Sequence, residues 1–156
     1  DVYKSHVEKH SNKLFTKNNF FEISKSYPLG LVKLEGEMIV RDPFAAKNNS
    51  LQILDEVPEG EYVSIMHGDI SSLLYSAKNA VEISSQSGFL EFTQFCVDCI
   101  SRVLFMETEF DKELAHLNAY QPINGVLAIG EIANLGNSVL EVFNKTIVVA
   151  QWKENC

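Results

Sequence analysis

A single acidic residue within an apolar run constrains this chain more than any other feature. Residues 125–132 read GVLAIGEI, so Glu131 is surrounded by apolar neighbours. An isolated carboxylate in a protein interior is costly unless another group compensates its charge. The chain has only two arginines, Arg41 and Arg102. Glu131 with Arg102 is therefore either a structural ion pair or the polar end of a ligand pocket.

Composition narrows the class of protein. The chain has 156 residues and a formal net charge of −8, which disfavours binding to nucleic acid or to an anionic membrane. We find neither an apolar run of about 20 residues nor a signal segment. Three cysteines do not form a disulfide scaffold, so we expect a cytoplasmic protein. The chain begins at Asp1, which indicates a processed start or a piece of a longer protein.

The pattern of apolar residues predicts an α+β fold with a mixed, mainly antiparallel sheet, two packed helices and a short N-terminal helix. Residues 1–26 are predicted to be a helical lead-in, and residues 27–156 a single globular unit. The predicted strands are 29–34 and 37–41, forming a hairpin around Glu35 and Gly36, then 51–54, 62–66, 89–97, 126–132 and 146–152.

Two longer helical regions are predicted. Asp69 is a good N-cap for the first, which is predicted to end at Gly88. The second follows Asp98 and reaches to about residue 117, with a break near Thr108 and with its acidic residues, Glu113 among them, on the outer side. Apolar residues at both parities make 126–132 a central strand covered on both faces, and 134–138 a loop.

Arg102 carries the strongest argument for a ligand site. It is predicted near the start of a helix that leaves a strand, where backbone N–H groups point outward and pockets open. A guanidinium binds a carboxylate bidentately, and Glu131 would take an ammonium group. Together they would recognise a zwitterion such as an amino acid. The alternative is that the two side chains pair with each other and join helix to sheet.

The remaining candidates have weaker arguments. Arg41 is either a strand-end surface residue or a ligand contact, and Asn144 and Thr146 either satisfy a turn or contact ligand. Cys96 and Cys99 have the spacing of a redox dithiol, and a helix amino end would lower the pKa of Cys99. No second Cys or His pair accompanies them, so a packed or pocket-lining thiol is the preferred interpretation.

The four histidines are His6, His10, His67 and His116. His6 and His10 share a helix face, and without a third ligand they are interpreted as a solvated surface pair. His67 and His116 have no nucleophile or carboxylate patterned beside them. No P-loop, dinucleotide fingerprint, nucleophile elbow or HExxH motif is present, and we predict neither cofactor nor metal.

Six short motifs in order resemble the FIST C-terminal domain (F-box and intracellular signal transduction). They are Tyr27 to Gly30, Arg41 to Pro43, Pro58 to Gly60, Cys99 to Arg102, Gly125 with Gly130 to Ile132, and Asn144 to Thr146. The resemblance extends from about residue 27 to residue 150.

The resemblance implies a non-catalytic sensory domain that binds a small ligand, with amino acids as the favoured class. It implies two partners in a parent protein, namely a FIST N-terminal half and a signalling output module. We predict that Arg102, Glu131, Cys99, Arg41, Asn144 and Thr146 bind the ligand. The alternatives are an enzyme or redox protein that uses Cys99 with Cys96, and an interaction scaffold that binds no ligand.

Overall fold

The protein, represented by a computed structural model, is described over residues 2–33, 38–86, 92–134 and 139–153. The chain divides into two compact units, Asp1–Gly68 and Asp69–Cys156. Each unit combines helices with strands, and within the described residues the strand pairings are antiparallel except for one. The predicted α+β class is confirmed, although the strands in this described part of the chain form four small sheets instead of one.

The first unit packs two short helices against strands. Its helices are α1 (Val2–Ser11) and α2 (Phe20–Ser24), and its strands are β1 (Leu29–Val32), β2 (Met38–Arg41), β3 (Pro43–Lys47), β4 (Ser50–Ile53) and β5 (Val63–Ile65). The three-stranded sheet has the order β2-β1-β5, and β3 pairs with β4.

The N-terminal helices share a hydrophobic core with the first strand. Tyr3 and Val7 of α1, Ile23 of α2, and Tyr27 and Leu29 form one buried cluster. The division of the chain at Gly68 therefore differs from the predicted boundary between residues 26 and 27. The physical reason is that the apolar side of α1 is too large to remain solvated and is buried within the first unit.

The first unit contains the predicted hairpin and one that was missed. β1 pairs antiparallel with β2, from Leu29 opposite Arg41 to Val32 opposite Met38, whereas the predicted turn at Glu35 and Gly36 lies outside the described residues. The missed hairpin joins β3 to β4 through Asn48 and Asn49, which have φ angles of 50° and 62°. Asparagine tolerates positive φ, and two such residues are the signature of a tight hairpin turn.

Over its described residues, the second unit combines three α-helices and a 3₁₀ turn with a three-stranded sheet and a strand pair. Its elements are α3 (Ile70–Ser85), β6 (Thr93–Cys99), α4 (Ile100–Met106), a 3₁₀ turn (Glu107–Glu109), α5 (Phe110–Leu117), β7 (Ile123–Ala128), β8 (Glu131–Ala133), β9 (Glu141–Phe143) and β10 (Ile147–Trp152). The sheet order is β10-β6-β7, with a separate β8-β9 pair. β6 and β7 are parallel, and α4 and α5 supply the crossover that this arrangement requires.

Both longer helical regions are present. The Asp69 side chain caps α3 by accepting a hydrogen bond from the Ser72 N–H, while the predicted end at Gly88 and residues 89–91 lie outside the described residues. The predicted break near Thr108 is the 3₁₀ turn, where Glu107 has a φ of 52°. Asp98 belongs to β6, so the second region begins after Cys99 and not after Asp98.

The predicted central strand over 126–132 is wrong. The segment divides into the end of β7 and the start of β8, and β7 lies at the edge of its sheet. Val126 and Leu127 are 51% and 52% exposed. Apolar residues at both parities therefore reflect an exposed edge here, because nothing in the local pattern specifies which neighbours cover a strand. Of the loop predicted over 134–138, residues 135–138 lie outside the described residues.

None of the helices described, over residues 2–33, 38–86, 92–134 and 139–153, has both the length and the apolar character needed to cross a membrane.

The pairing of β6 with β7 leaves no space for a side chain at Gly125. A Cβ there would meet the Cys96 Sγ, and would lie 2.5 Å from the Cys96 carbonyl oxygen. We expect Gly125→Ala to lower the free energy of unfolding by about 1–3 kcal/mol, as overpacking does. Urea unfolding followed by the fluorescence of Trp152, the only tryptophan, measures this in the second unit.

Gly68→Ala is the matched control, because a Cβ at Gly68 meets nothing within 4 Å. Equal midpoints for Gly125→Ala and the unchanged protein would contradict the observed packing of the two strands.

Candidate functional site

The Arg102 guanidinium is enclosed by the second unit. Only 1% of the residue is exposed. Nε donates to Glu113 Oε1 at 3.1 Å, and Nη2 donates to Glu113 Oε2 and to the Leu73 carbonyl at 2.9 Å. Nη1 lies 3.4 Å from the carbonyl oxygen of Lys145, and Asp98 Oδ1 lies 3.3 Å from Nε. Protein groups therefore already occupy the fork that would bind a carboxylate ligand.

Two carboxyl groups share this one guanidinium. Asp98 is 2% exposed and Glu113 is fully buried. Burial, with the adjacent Glu113 carboxylate, raises the pKa of Asp98 to about 7, and the opposing Arg102 charge does not cancel this shift. Asp98 therefore keeps its proton up to about pH 7, well above the pH at which an ordinary aspartate ionises.

Four more of the predicted site residues surround the corner between β7 and β8. Thr146 Oγ1 donates to Glu131 Oε2 at 2.5 Å. The Cys99 thiol and the Asn144 side-chain amide both approach the carbonyl oxygen of Ile129, at 3.6 Å and 3.3 Å. Burial raises the pKa of Glu131, while hydrogen bonds from Thr146 and Cys99 oppose the change. These contacts hold the chain where it leaves the sheet.

The observed partners differ from the predicted ones. Arg102 pairs with Glu113 and Asp98, and Glu131 bonds to Thr146. The prediction that Glu113 covers the outer side of its helix is wrong. Glu113 is three residues after Phe110 and four before Leu117, so its spacing places it on the apolar side of α5. That spacing was the signal for a buried acidic partner of Arg102.

Arg41 lies in the first unit, apart from the other five predicted residues along the chain. It is 7% exposed, so the strand-end surface interpretation is wrong. Its Nε donates to the Glu56 carbonyl at 3.2 Å, and its Nη1 to the Val40 carbonyl at 3.0 Å. These bonds join the end of β2 to the segment after β4.

Cys96 and Cys99 are both buried free thiols. Burial raises the pKa of Cys99 against the hydrogen bonds of Ser101 and Lys145, and burial with the Asp98 and Glu113 charges raises the pKa of Cys96. The predicted lowering at Cys99 is therefore wrong, because α4 begins inside the protein. An activated thiol requires the opposite shift.

The first unit contains an open groove of about 840 Å³. α1 forms one side, and β5 with the two residues after it forms the other. The lining is mostly apolar, and its aliphatic residues are Val2, Val7, Leu29, Leu51, Val63 and Ile65. The volume is that of a typical small-molecule site. A smaller cavity of about 470 Å³ lies beside Phe15 and Phe20. Of the residues that the structure describes, none of the six predicted site residues lines either cavity.

An aromatic cluster forms one end of the groove. The rings of His10, Tyr27 and His67 lie 5.0 to 5.6 Å apart between centroids, and His10 Nδ1 lies 3.0 Å from the Tyr27 hydroxyl. Backbone hydrogen bonds on both sides of His67 fix its position. The Met66 N–H donates to the Pro28 carbonyl oxygen at 2.8 Å, and the Gly68 N–H donates to the Ser26 carbonyl oxygen at 3.1 Å.

Tyr3 also lines the groove and is bonded to Tyr27 of the aromatic cluster. Its hydroxyl donates to the Tyr27 carbonyl at 2.7 Å. Burial, with the nearby Asp42 charge, raises the pKa of Tyr3, so the hydroxyl stays protonated and remains a donor.

Sequence reasoning did not identify this groove. His6 and His10 follow Tyr3 and Val7 by three residues, so they flank the buried stripe of α1 and line the groove. The spacing of His6 and His10 could have indicated that they lie beside the buried stripe. No local sequence pattern indicates that His67 packs against His10. No group of three or more His, Cys, Asp or Glu side chains arranged to hold a metal ion occurs in the described part of the chain.

Comparison with known proteins identifies the class to which this α+β chain belongs. A family model, the FIST C domain, matches residues 1–134. The chain is a member of the FIST C domain family, whose membership implies a sensory domain of signal transduction. The matched range includes α1 and α2 and ends before Asn144. No curated protein and no solved structure matches the chain.

The enclosure of Arg102 makes it a stability determinant. Arg102→Met leaves two buried carboxyl groups without their cation, and we expect a loss of about 3–5 kcal/mol in the free energy of unfolding. Arg102→Lys keeps the charge but not the bidentate bond, so its loss should be smaller. Urea unfolding followed by Trp152 fluorescence measures both.

Lys112→Met is the matched control, because it removes the exposed ion pair between Lys112 of α5 and Glu109 of the preceding 3₁₀ turn. Such a pair contributes about 0–1 kcal/mol. If Arg102→Lys kept full stability, the guanidinium contacts in the second unit would not be structural.

The raised pKa of Asp98 predicts a pH dependence of stability. Because the folded value is about 7 and the ordinary value is 3.8, the folded state holds the extra proton between these pH values. The stability that Asp98 contributes is complete below about pH 4 and is lost as the pH rises through 7. We expect Asp98→Asn to gain stability relative to the unchanged protein between about pH 5 and pH 8.

Asp69→Asn is the control for this measurement. Hydrogen bonds from Ser72 lower the pKa of Asp69, so its contribution is lost only as the pH falls below the range tested. Parallel stability curves for Asp98→Asn and the unchanged protein would show that Asp98 is ionised throughout.

Proposed function

We propose that this chain is a small-ligand-binding sensory domain and that the groove of the first unit holds the ligand. The observation that carries the proposal is the groove itself, which combines a ligand-sized volume, an apolar lining and convergent polar groups at one end. Those three properties together are typical of small-molecule sites. Family membership supports the sensory part of the proposal.

The groove lies between a helix and a strand, so a bound ligand would favour particular arrangements of the two. A molecule bound there contacts α1 on one side and β5 on the other. It therefore stabilises arrangements in which both are in place, and shifts the population toward them. Such a shift is the input that a FIST N-terminal half and an output module, the partners we propose in a parent protein, would receive.

This proposal moves the ligand site away from Arg102 and Glu131. An amino acid bound at Arg102 would have to displace Glu113 from the guanidinium. Amino acids stay among the ligands to be tested because the family suggests them. The role of Arg102, Glu131, Cys99, Arg41, Asn144 and Thr146 in ligand binding stays a prediction.

Thermal unfolding of the whole chain with amino acids and small organic acids, alcohols and amines tests the proposal. A ligand present at 100 times its Kd adds about 2.7 kcal/mol of stability. For a chain of this length we expect a rise in Tm of about 5–10 °C.

A pair of variants locates the site. Val63→Trp fills the groove and should abolish the rise in Tm, whereas Val142→Trp makes the same change on β9 and should keep it. Loss of binding in both variants, or in neither, would contradict a ligand site in the groove.

A further inference from the structure

The ionisable groups of the groove indicate which ligand chemistry it would accept. The described lining residues include three histidines, His6, His10 and His67, and two tyrosines, but no Asp, Glu, Lys or Arg. All three imidazoles are exposed to solvent. Imidazole is the side chain that acquires a positive charge near neutral pH. The polar end of the groove therefore carries imidazole N–H groups that can donate hydrogen bonds.

The same lining lacks what a zwitterion would need. An ammonium group requires a carboxylate or several carbonyl oxygens, and no described lining residue has an acidic side chain. A carboxylate or similar anion would instead receive charge-assisted hydrogen bonds from imidazole N–H groups. The formal net charge of −8 repels anions from the surface as a whole, so these imidazoles supply the local attraction.

The described side chains that contact the rings of His10 and His67 are aromatic. The titratable side chains that face them are Tyr27 and, along the same lining, Tyr3 and His6, and the Asp42 charge lies near Tyr3 outside that lining. The nearest acidic residues in the sequence are bonded elsewhere. Glu8 accepts from the Phe15 N–H at 2.7 Å, and Asp69 accepts from Ser72.

We infer that the groove selects a small organic acid, in which one carboxylate is joined to an apolar alkyl or aromatic body and no ammonium group is present. The anion lies against His10 and His67, and the body lies along Val7, Leu29, Val63 and Ile65. This inference rests on the proposed function and names the ligand class of the same site.

Four probes with one body and different head groups test the inference. They are 3-phenylpropionate, phenylalanine, 3-phenylpropan-1-ol and 3-phenylpropylamine, titrated calorimetrically into the whole chain at about pH 6 and pH 8. We expect the acid to bind at least about tenfold more tightly than the alcohol at the lower pH. The amine should bind most weakly, phenylalanine more weakly than the acid, and the advantage of the acid should shrink at the higher pH.

The variant His67→Phe separates charge from ring contact. It keeps an aromatic ring beside Tyr27 but removes the imidazole, so the preference for acid over alcohol should fall while affinity for the alcohol is kept. His10→Gln should also reduce the preference, and His116→Gln, on α5 of the second unit, should leave it unchanged. Retained alcohol binding shows that each variant is folded.

The outcomes separate this inference from the proposed function. Equal binding of acid and alcohol, tighter binding of phenylalanine or of the amine, or an unchanged preference in His67→Phe overturns the acid selectivity and leaves a ligand groove. If no probe binds and no compound of the broader thermal panel raises Tm, the proposed function itself fails.

Discussion

The buried Arg102 guanidinium is the interaction on which the second unit depends. A cation that is removed from water must have its donors satisfied within the protein. Here the acceptors are Glu113 on α5, the Leu73 carbonyl of α3 and the Lys145 carbonyl before β10, and Asp98 on β6 supplies a second opposing charge. Strands and helices are thus held by one side chain, and its requirement for acceptors restricts how they pack.

The first unit shows the opposite use of polar groups. Its aromatic cluster presents imidazoles at the surface of an apolar groove, where they remain available to a molecule from solvent. Two backbone hydrogen bonds fix the segment that carries His67, so the cluster is held in position before any ligand arrives. A saturated buried cation stabilises a fold, whereas an exposed and fixed set of donors is suited to recognition. We therefore propose ligand sensing for the groove and a structural role for the Arg102 contacts.

Particular elements show how far the sequence predicted the fold. The β1-β2 pairing, the Asp69 cap and the break near Thr108 are confirmed, because periodicity, capping and breaks are local properties. The β3-β4 hairpin was missed although Asn48 and Asn49 carry its turn chemistry. The prediction of a central strand covered on both faces is wrong at β7, because the exposure of β7 depends on which distant segments pack beside it.

By itself the sequence determined the α+β class, most of the local elements and membership of the FIST C domain family. It also indicated that Arg102 and Glu131 need compensation, since the cost of burying charge does not depend on the fold. Only the tertiary structure decided that Glu113 provides it for Arg102, and that His10 and His67 meet beside Tyr27. Both are encounters between segments distant along the chain, and local spacing carries no information about which of them come together.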